Sequence, residues 1–139
     1  MNRRSWYIGA ASIALAAGTL VAVPAGATEL GTAAAAAAIT CKATAGRPSE
    51  SAHKVHATVT EKCTGTATMI HIQARLYHLR KFVKVSKRGH NVMSETATVS
   101  ETCAVGSYRS RIIYAVTRPG HPVLKGSKWS PSVHITRCT

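Results

Sequence analysis

The side chains able to do chemistry are few and scattered. Glu29, Glu50, Glu61, Glu95 and Glu101 are the only carboxylates, and Asp is absent. Hydrolysis by paired carboxylates needs two of them held a few ångströms apart. Glu61 and Glu101 each lie two residues before a cysteine, but nothing in the sequence brings them together. A Ser-His-Asp triad is excluded by composition, and no G-x-S-x-G offers a nucleophile for a Glu-based variant. Seven His invite a metal reading. However, His53 and His56 fall on opposite faces of a strand, His71 and His78 differ in parity, and His90 and His121 lie in turn-like segments. They are expected to be solvated groups that gain charge below neutral pH. No enzymatic activity, metal or cofactor is expected.

Cys41, Cys63, Cys103 and Cys138 are spaced by 22, 40 and 35 residues, with no C-x-x-C. Zinc ribbons and thioredoxin-like redox chemistry are therefore unsupported. Four cysteines allow three connectivities, and the sequential pairing, Cys41–Cys63 with Cys103–Cys138, is the one expected. Each bridge is worth about 3–4 kcal/mol by chain-entropy arguments, a large share of a small domain's net stability.

The strongest chemical signal is charge. The chain of 139 residues carries 18 Lys and Arg against 5 acids, for a net charge of +13. Arg75, Arg80, Lys81, Lys84, Lys87 and Arg88 fall within fourteen residues that hold no acid. Alternation puts Arg80, Phe82 and Lys84 on one strand face, an aromatic among cations. Two readings stay open. The run is a solvated outer strand whose lysines discourage edge pairing, or it is a docking face for an acidic protein, an anionic cell-wall polymer or an anionic lipid surface. Nucleic acid is disfavoured by the scarcity of aromatics for stacking. Trp129, between a loop and the last strand, caps the core or anchors an interface.

Residues 1–27 read as a secretory signal peptide. Arg3 and Arg4 precede an apolar run from Ile8 to Val23, Pro24 stops it, and Ala25-Gly26-Ala27 fits a small-x-small cleavage site. The run is shorter than the roughly 20 residues a bilayer requires, so no membrane span is expected. Removing 27 residues, two of them Arg, leaves 112 and lowers the charge to +11. Export agrees with disulfide use.

Residues 28–38 form an extension containing Ala33, Ala34, Ala35, Ala36, Ala37 and Ala38. Alanine favours helix, but so short a segment does not hold one alone in water. It is either a spacer or a segment that orders on a partner, with Leu30 as a larger handle near its start.

Residues 39–139 read as antiparallel β. Val55, Ala57 and Val59 alternate inward. A turn is expected near Thr64-Gly65, then a long strand over 67–79 with Ile70, Ile72, Ala74 and Leu76 inward. The phase changes after it, which implies a bulge near His78–Arg80. Gly89-His90-Asn91 reads as a turn. Tyr108, Ile112, Tyr114 and Val116 share a face, Arg118 to Pro122 is a loop, and Lys128 to Cys138 closes the chain. Six or seven strands at this spacing predict an Ig-like β-sandwich, with a barrel as the alternative.

In its signal peptide, short extension and Thr/Val-rich four-cysteine β domain, the chain resembles small secreted proteins of actinobacteria. More narrowly, it resembles the adaptor subunits of secreted umbrella toxin particles. That resemblance implies a secreted, non-enzymatic adaptor that joins a lectin-like subunit to a large toxin chain. The extension of residues 28–39 would grip the toxin and the domain of residues 41–138 would supply a rigid face. The other functions kept in view are a freestanding cationic envelope-binding or antimicrobial protein, and a secreted hydrolase inhibitor presenting the Arg118–Pro122 loop.

Overall fold

The computed structural model describes residues 37–139. Residues 1–36, which hold the expected signal peptide and most of the expected extension, including Leu30 and Ala33 to Ala36, lie outside them. Ala37 and Ala38 are exposed and precede the first strand.

Seven antiparallel strands follow: β1 (Cys41–Ala45), β2 (Ser49–Ser51), β3 (Lys54–His78), β4 (Lys81–Thr102), β5 (Gly106–Thr117), β6 (Leu124–Trp129) and β7 (Val133–Ile135). The expectation of two stacked sheets is corrected: all seven strands belong to one sheet, which curls into a half-barrel. The physical reason is β3. Its 25 residues run unbroken, pairing with β1, β2 and β4 in its first half and with β4 and β5 in its second. β5 then carries β6 and β7. Among the described residues β4 bonds only to β3, so its other edge is open.

The predicted turn at Thr64-Gly65 is instead a bulge within β3. Pairing with β4 jumps from Lys62↔Ser94 to Ala67↔Val92, so β3 advances five residues while β4 advances two. β3 nonetheless keeps its inward parity through the bulge, since Cys63 and Ala67 are both buried, and changes it just beyond, between Ala67 and Ile70. Before the change Val55, Ala57, Val59 and Glu61 point inward; after it Ile70, Ile72, Ala74 and Leu76 do.

The expected bulge at His78–Arg80 is a tight hairpin, with His78 paired to Lys81 and Leu79 at φ 55. The expected turn at Gly89–Asn91 lies inside β4. Gly89 is there for space: a Cβ would sit 2.5 Å from Glu95 Oε2 and 2.7 Å from Val92 Cγ2.

The core joins both halves of β3 to Val99, Tyr108, Ile112 and Val116, all essentially inaccessible. The two fully buried polar side chains of β5, Tyr108 and Ser110, find partners. The Tyr108 hydroxyl donates to Ala104 O and accepts from Ala104 N. Ser110 Oγ donates to Gly46 O, and Ser130 Oγ accepts from Ser110 N. The disulfides are Cys41–Cys63 and Cys103–Cys138, as expected from the sequence. The first ties β1 to β3 beside the bulge; the second secures the C-terminal segment.

Candidate functional site

The most distinctive surface is the outer face of the second half of the sheet. With Ile70 to Leu76 committed to the core, the alternate residues of β3 must face out: His71, Gln73, Arg75 and Tyr77. Register extends each into a row across the strands. Phe82, Tyr77 and Arg109 form one row. Lys84, Arg75, Arg111 and Trp129 form the next. Then come Ser86, Gln73, Ile113 and Ser127, and finally Arg88, His71, Ala115 and Lys125. Six permanent cations share these rows with no carboxylate.

Three aromatic rings assemble at one end. Tyr77 lies between Phe82 and Trp129, with ring centroids 5.1 and 4.8 Å away and tilted geometry in both cases. Arginines cover the outer rings. Arg75 Cζ lies 4.9 Å from the Phe82 centroid, and Arg109 and Arg111 Cζ each lie 4.9 Å from that of Trp129. Guanidinium over indole is the more favourable of these cation–π arrangements.

Hydrogen bonds fix the guanidiniums. Arg75 donates to Gln73 Oε1 and to Tyr77 Oη, Arg109 to Ser130 O at 2.8 Å, and Arg111 to Ser127 Oγ at 2.8 Å. Phe82 and Trp129 nonetheless keep 44% and 39% of their surface exposed, enough for a partner to touch. A cleft of about 360 Å³ continues from this cluster between His71, Gln73, Arg75, Ile113 and Lys125.

Of the residues singled out in the sequence, Phe82, Lys84 and Trp129 meet on this face. Arg80 does not join them; it sits in the β3–β4 turn next to Leu79. Tyr77, which bridges Phe82 to Trp129, and the pair Arg109/Arg111 were missed as site residues. The signal for the arginines was present: they alternate with the buried Tyr108, Ser110 and Ile112 and must therefore emerge on the opposite face.

The glutamates do not form the pair considered above. Glu61 lies opposite Glu95 in the β3–β4 ladder, whereas Glu101 lies opposite Val55, six residues further along β4. That is about 20 Å of strand. Glu61 is fully enclosed, neither carboxylate oxygen has a partner, and the cost of burying the charged form pushes its pKa up to about 7. It approaches Cys41 and Cys63, but both sulfurs are bonded to each other, so no thiolate is left to bind a metal there. In the Arg118–Pro122 loop, Arg118 donates to Ile39 O at 2.9 Å and so is engaged within the domain.

No protein-family model matches the chain, and no curated protein matches it in sequence. Among solved structures there is a distant likeness to OgpA from Akkermansia muciniphila, with TM-score 0.36 and 8% identity over 68% of this chain. The matched region spans 30% of that protein's length.

Proposed function

We propose that this is a secreted, non-enzymatic adaptor, and that the face built on Phe82, Tyr77 and Trp129 docks an acidic protein surface. The observation that carries the reading is the acid-free aromatic–arginine cluster. Trp, Tyr and Arg are the residue types that dominate binding energy at protein interfaces. Here the rings and guanidiniums hold one another in place before any partner arrives, which reduces the ordering cost of association. The surrounding cations add attraction and selectivity for an acidic partner.

An adaptor needs a second contact. In this reading it is the alanine-rich extension of residues 28–38, whose small side chains permit close backbone approach. The partners would be subunits of an extracellular antibacterial complex: a large toxin chain for the extension and a lectin-like subunit for the domain. The cationic face is also compatible with an anionic envelope. The packed rings favour a protein, because a polymer held by charge alone has no need of them.

The test is to purify the natively secreted protein gently and weigh what travels with it. Stoichiometric partners should be present. One should be lost on Trp129→Ala and another on deletion of residues 28–38. A solitary wild-type protein that still binds envelopes would overturn the adaptor reading.

A further inference from the structure

A second candidate site lies away from the aromatic cluster. The inward series of β3 runs Ile70, Ile72, Ala74, Leu76 and then His78; that of β4 runs Ala97, Val99 and then Glu101. Each series thus places a titratable group where the apolar core ends. The curl of the sheet brings these two positions to one cleft of about 700 Å³, lined by His78, Leu79, Arg80, Lys81 and Glu101. That size lies within the range of small-molecule sites.

Four observations mark the cleft as more than a surface irregularity. His78 Nε2 and Glu101 Oε1 are both inaccessible and have no hydrogen-bond partner, an unusual state for buried polar atoms. The imidazole is held rigidly, stacked on buried Tyr108 at 4.3 Å and 9°. Space has been cleared for it at Gly106: a Cβ there would lie 2.6 Å from Nε2, and its φ of 145° disfavours any side chain. Finally, Leu79 on the rim has φ 55 and is 83% exposed. A branched residue in the left-handed region is strained, and such strain gathers at ligand clamps. Burial also raises the pKa of Glu101, while the nearby His78 lowers it.

We propose that this cleft binds a small hydroxy acid of sugar-acid size. Its carboxylate would sit on Arg80 and Lys81, its hydroxyls would bond to the cleft-facing edges of the His78 ring and the Glu101 carboxylate, whose Nε2 and Oε1 are sealed in the wall behind, and its apolar edge would lie on Leu79. Each lining residue then has a role set by its chemistry. The site is separate from the protein-docking face and does not depend on the adaptor reading.

The probe is D-glucuronate, titrated into the domain and followed by calorimetry and by the NMR signals of the His78 ring. D-glucose lacks the carboxylate and acetate lacks the hydroxyls. Saturable binding is expected for glucuronate, and binding at least about tenfold weaker for either control. Glu101→Gln and Arg80→Ala should each weaken glucuronate about tenfold or more, with unchanged melting temperatures establishing that the fold persists. Absence of saturable binding at millimolar glucuronate would overturn the proposal. So would equal affinity for glucose, or full affinity in both variants. A polymer ending in uronate that competes with the free sugar acid would point to glycan as the source. Free acid alone would point to a soluble metabolite; both outcomes support the site.

Discussion

The two halves of β3 share a core and present opposite chemistry to solvent. Around the first half, the outer face carries hydroxyls: Thr44, Thr60 and Thr96 form one row, and Thr58 lies across from Thr98. Thr58 and Thr98 hydroxyls are 2.9 Å apart, and those of Thr60 and Thr96 are 3.1 Å apart. Around the second half the same face carries arginines and aromatic rings. The buried positions of both halves are Val, Ile, Ala, Leu and Cys, with Glu61 the exception, because burial permits little else. The outer positions face no such constraint, so their divergence reflects what each surface does. Threonines bonded to one another across strands suit a stable, solvated wall. Arginines held over rings keep apolar surface in contact with water, a cost that is offset when something covers it.

The most severe way to break this contrast is to put the outer chemistry into the shared core. Leu76→Arg would place a guanidinium at a fully inaccessible position. The loss should take most of the roughly 5–15 kcal/mol that holds a domain together. The measurement is circular dichroism with thermal melting, and no cooperative transition is expected.

A second test probes the interior of the threonine half. Glu61 in the folded chain titrates at about 7 against an ordinary value of 4.5. The folded state thus binds the proton more tightly than the unfolded one. Stability is full below about pH 4.5 and falls as pH rises towards 7, by about 1.4 kcal/mol per unit and roughly 3 kcal/mol in all. Denaturant melts across this window should show that slope, and Glu61→Gln should flatten it.

Next in size is the docking face itself. Trp129→Ala should weaken partner binding about 100-fold, or about 2.7 kcal/mol, while leaving the melting temperature nearly unchanged. Thr96→Ala on the other half should leave binding as it was. Calorimetry with the co-purified partner would compare them. The smallest effect belongs to the threonine ladder. Replacing Thr58 and Thr98 together by Val should alter stability by less than about 1 kcal/mol in chemical denaturation.

Much of this organisation was legible from residue order. Alternation located the inward sets of β3 and β5, and the cysteine pairing followed the chain. Phe82 and Lys84 emerged on one face with Trp129 as a separate candidate. What alternation could not supply was register. Trp129 reaches Tyr77 only through β5, because Arg111 pairs with both Arg75 and Trp129. No local signal encodes that pairing. The turns misled for a related reason. Gly65 and Gly89 look like turn residues, yet one lies in a bulge and the other fills a tight spot in a continuous strand. The real hairpin at Leu79-Arg80 has neither Gly nor Asn to announce it, since tertiary pairing on both sides imposes it.

The open edge of β4 sets up a native ruler for isotope exchange. Along any edge strand, successive amides point alternately to the neighbouring strand and to water. Over Lys81–Thr102 the amides facing β3 should exchange slowly and those facing outward should exchange fast, in alternation except from His90 to Ser94, where Asn91 has φ 53 and the ladder is interrupted. A partner that stacks on the rings alone would leave that alternation intact. One that adds a strand would slow the fast set, so a single deuterium time course reads out how the domain is engaged.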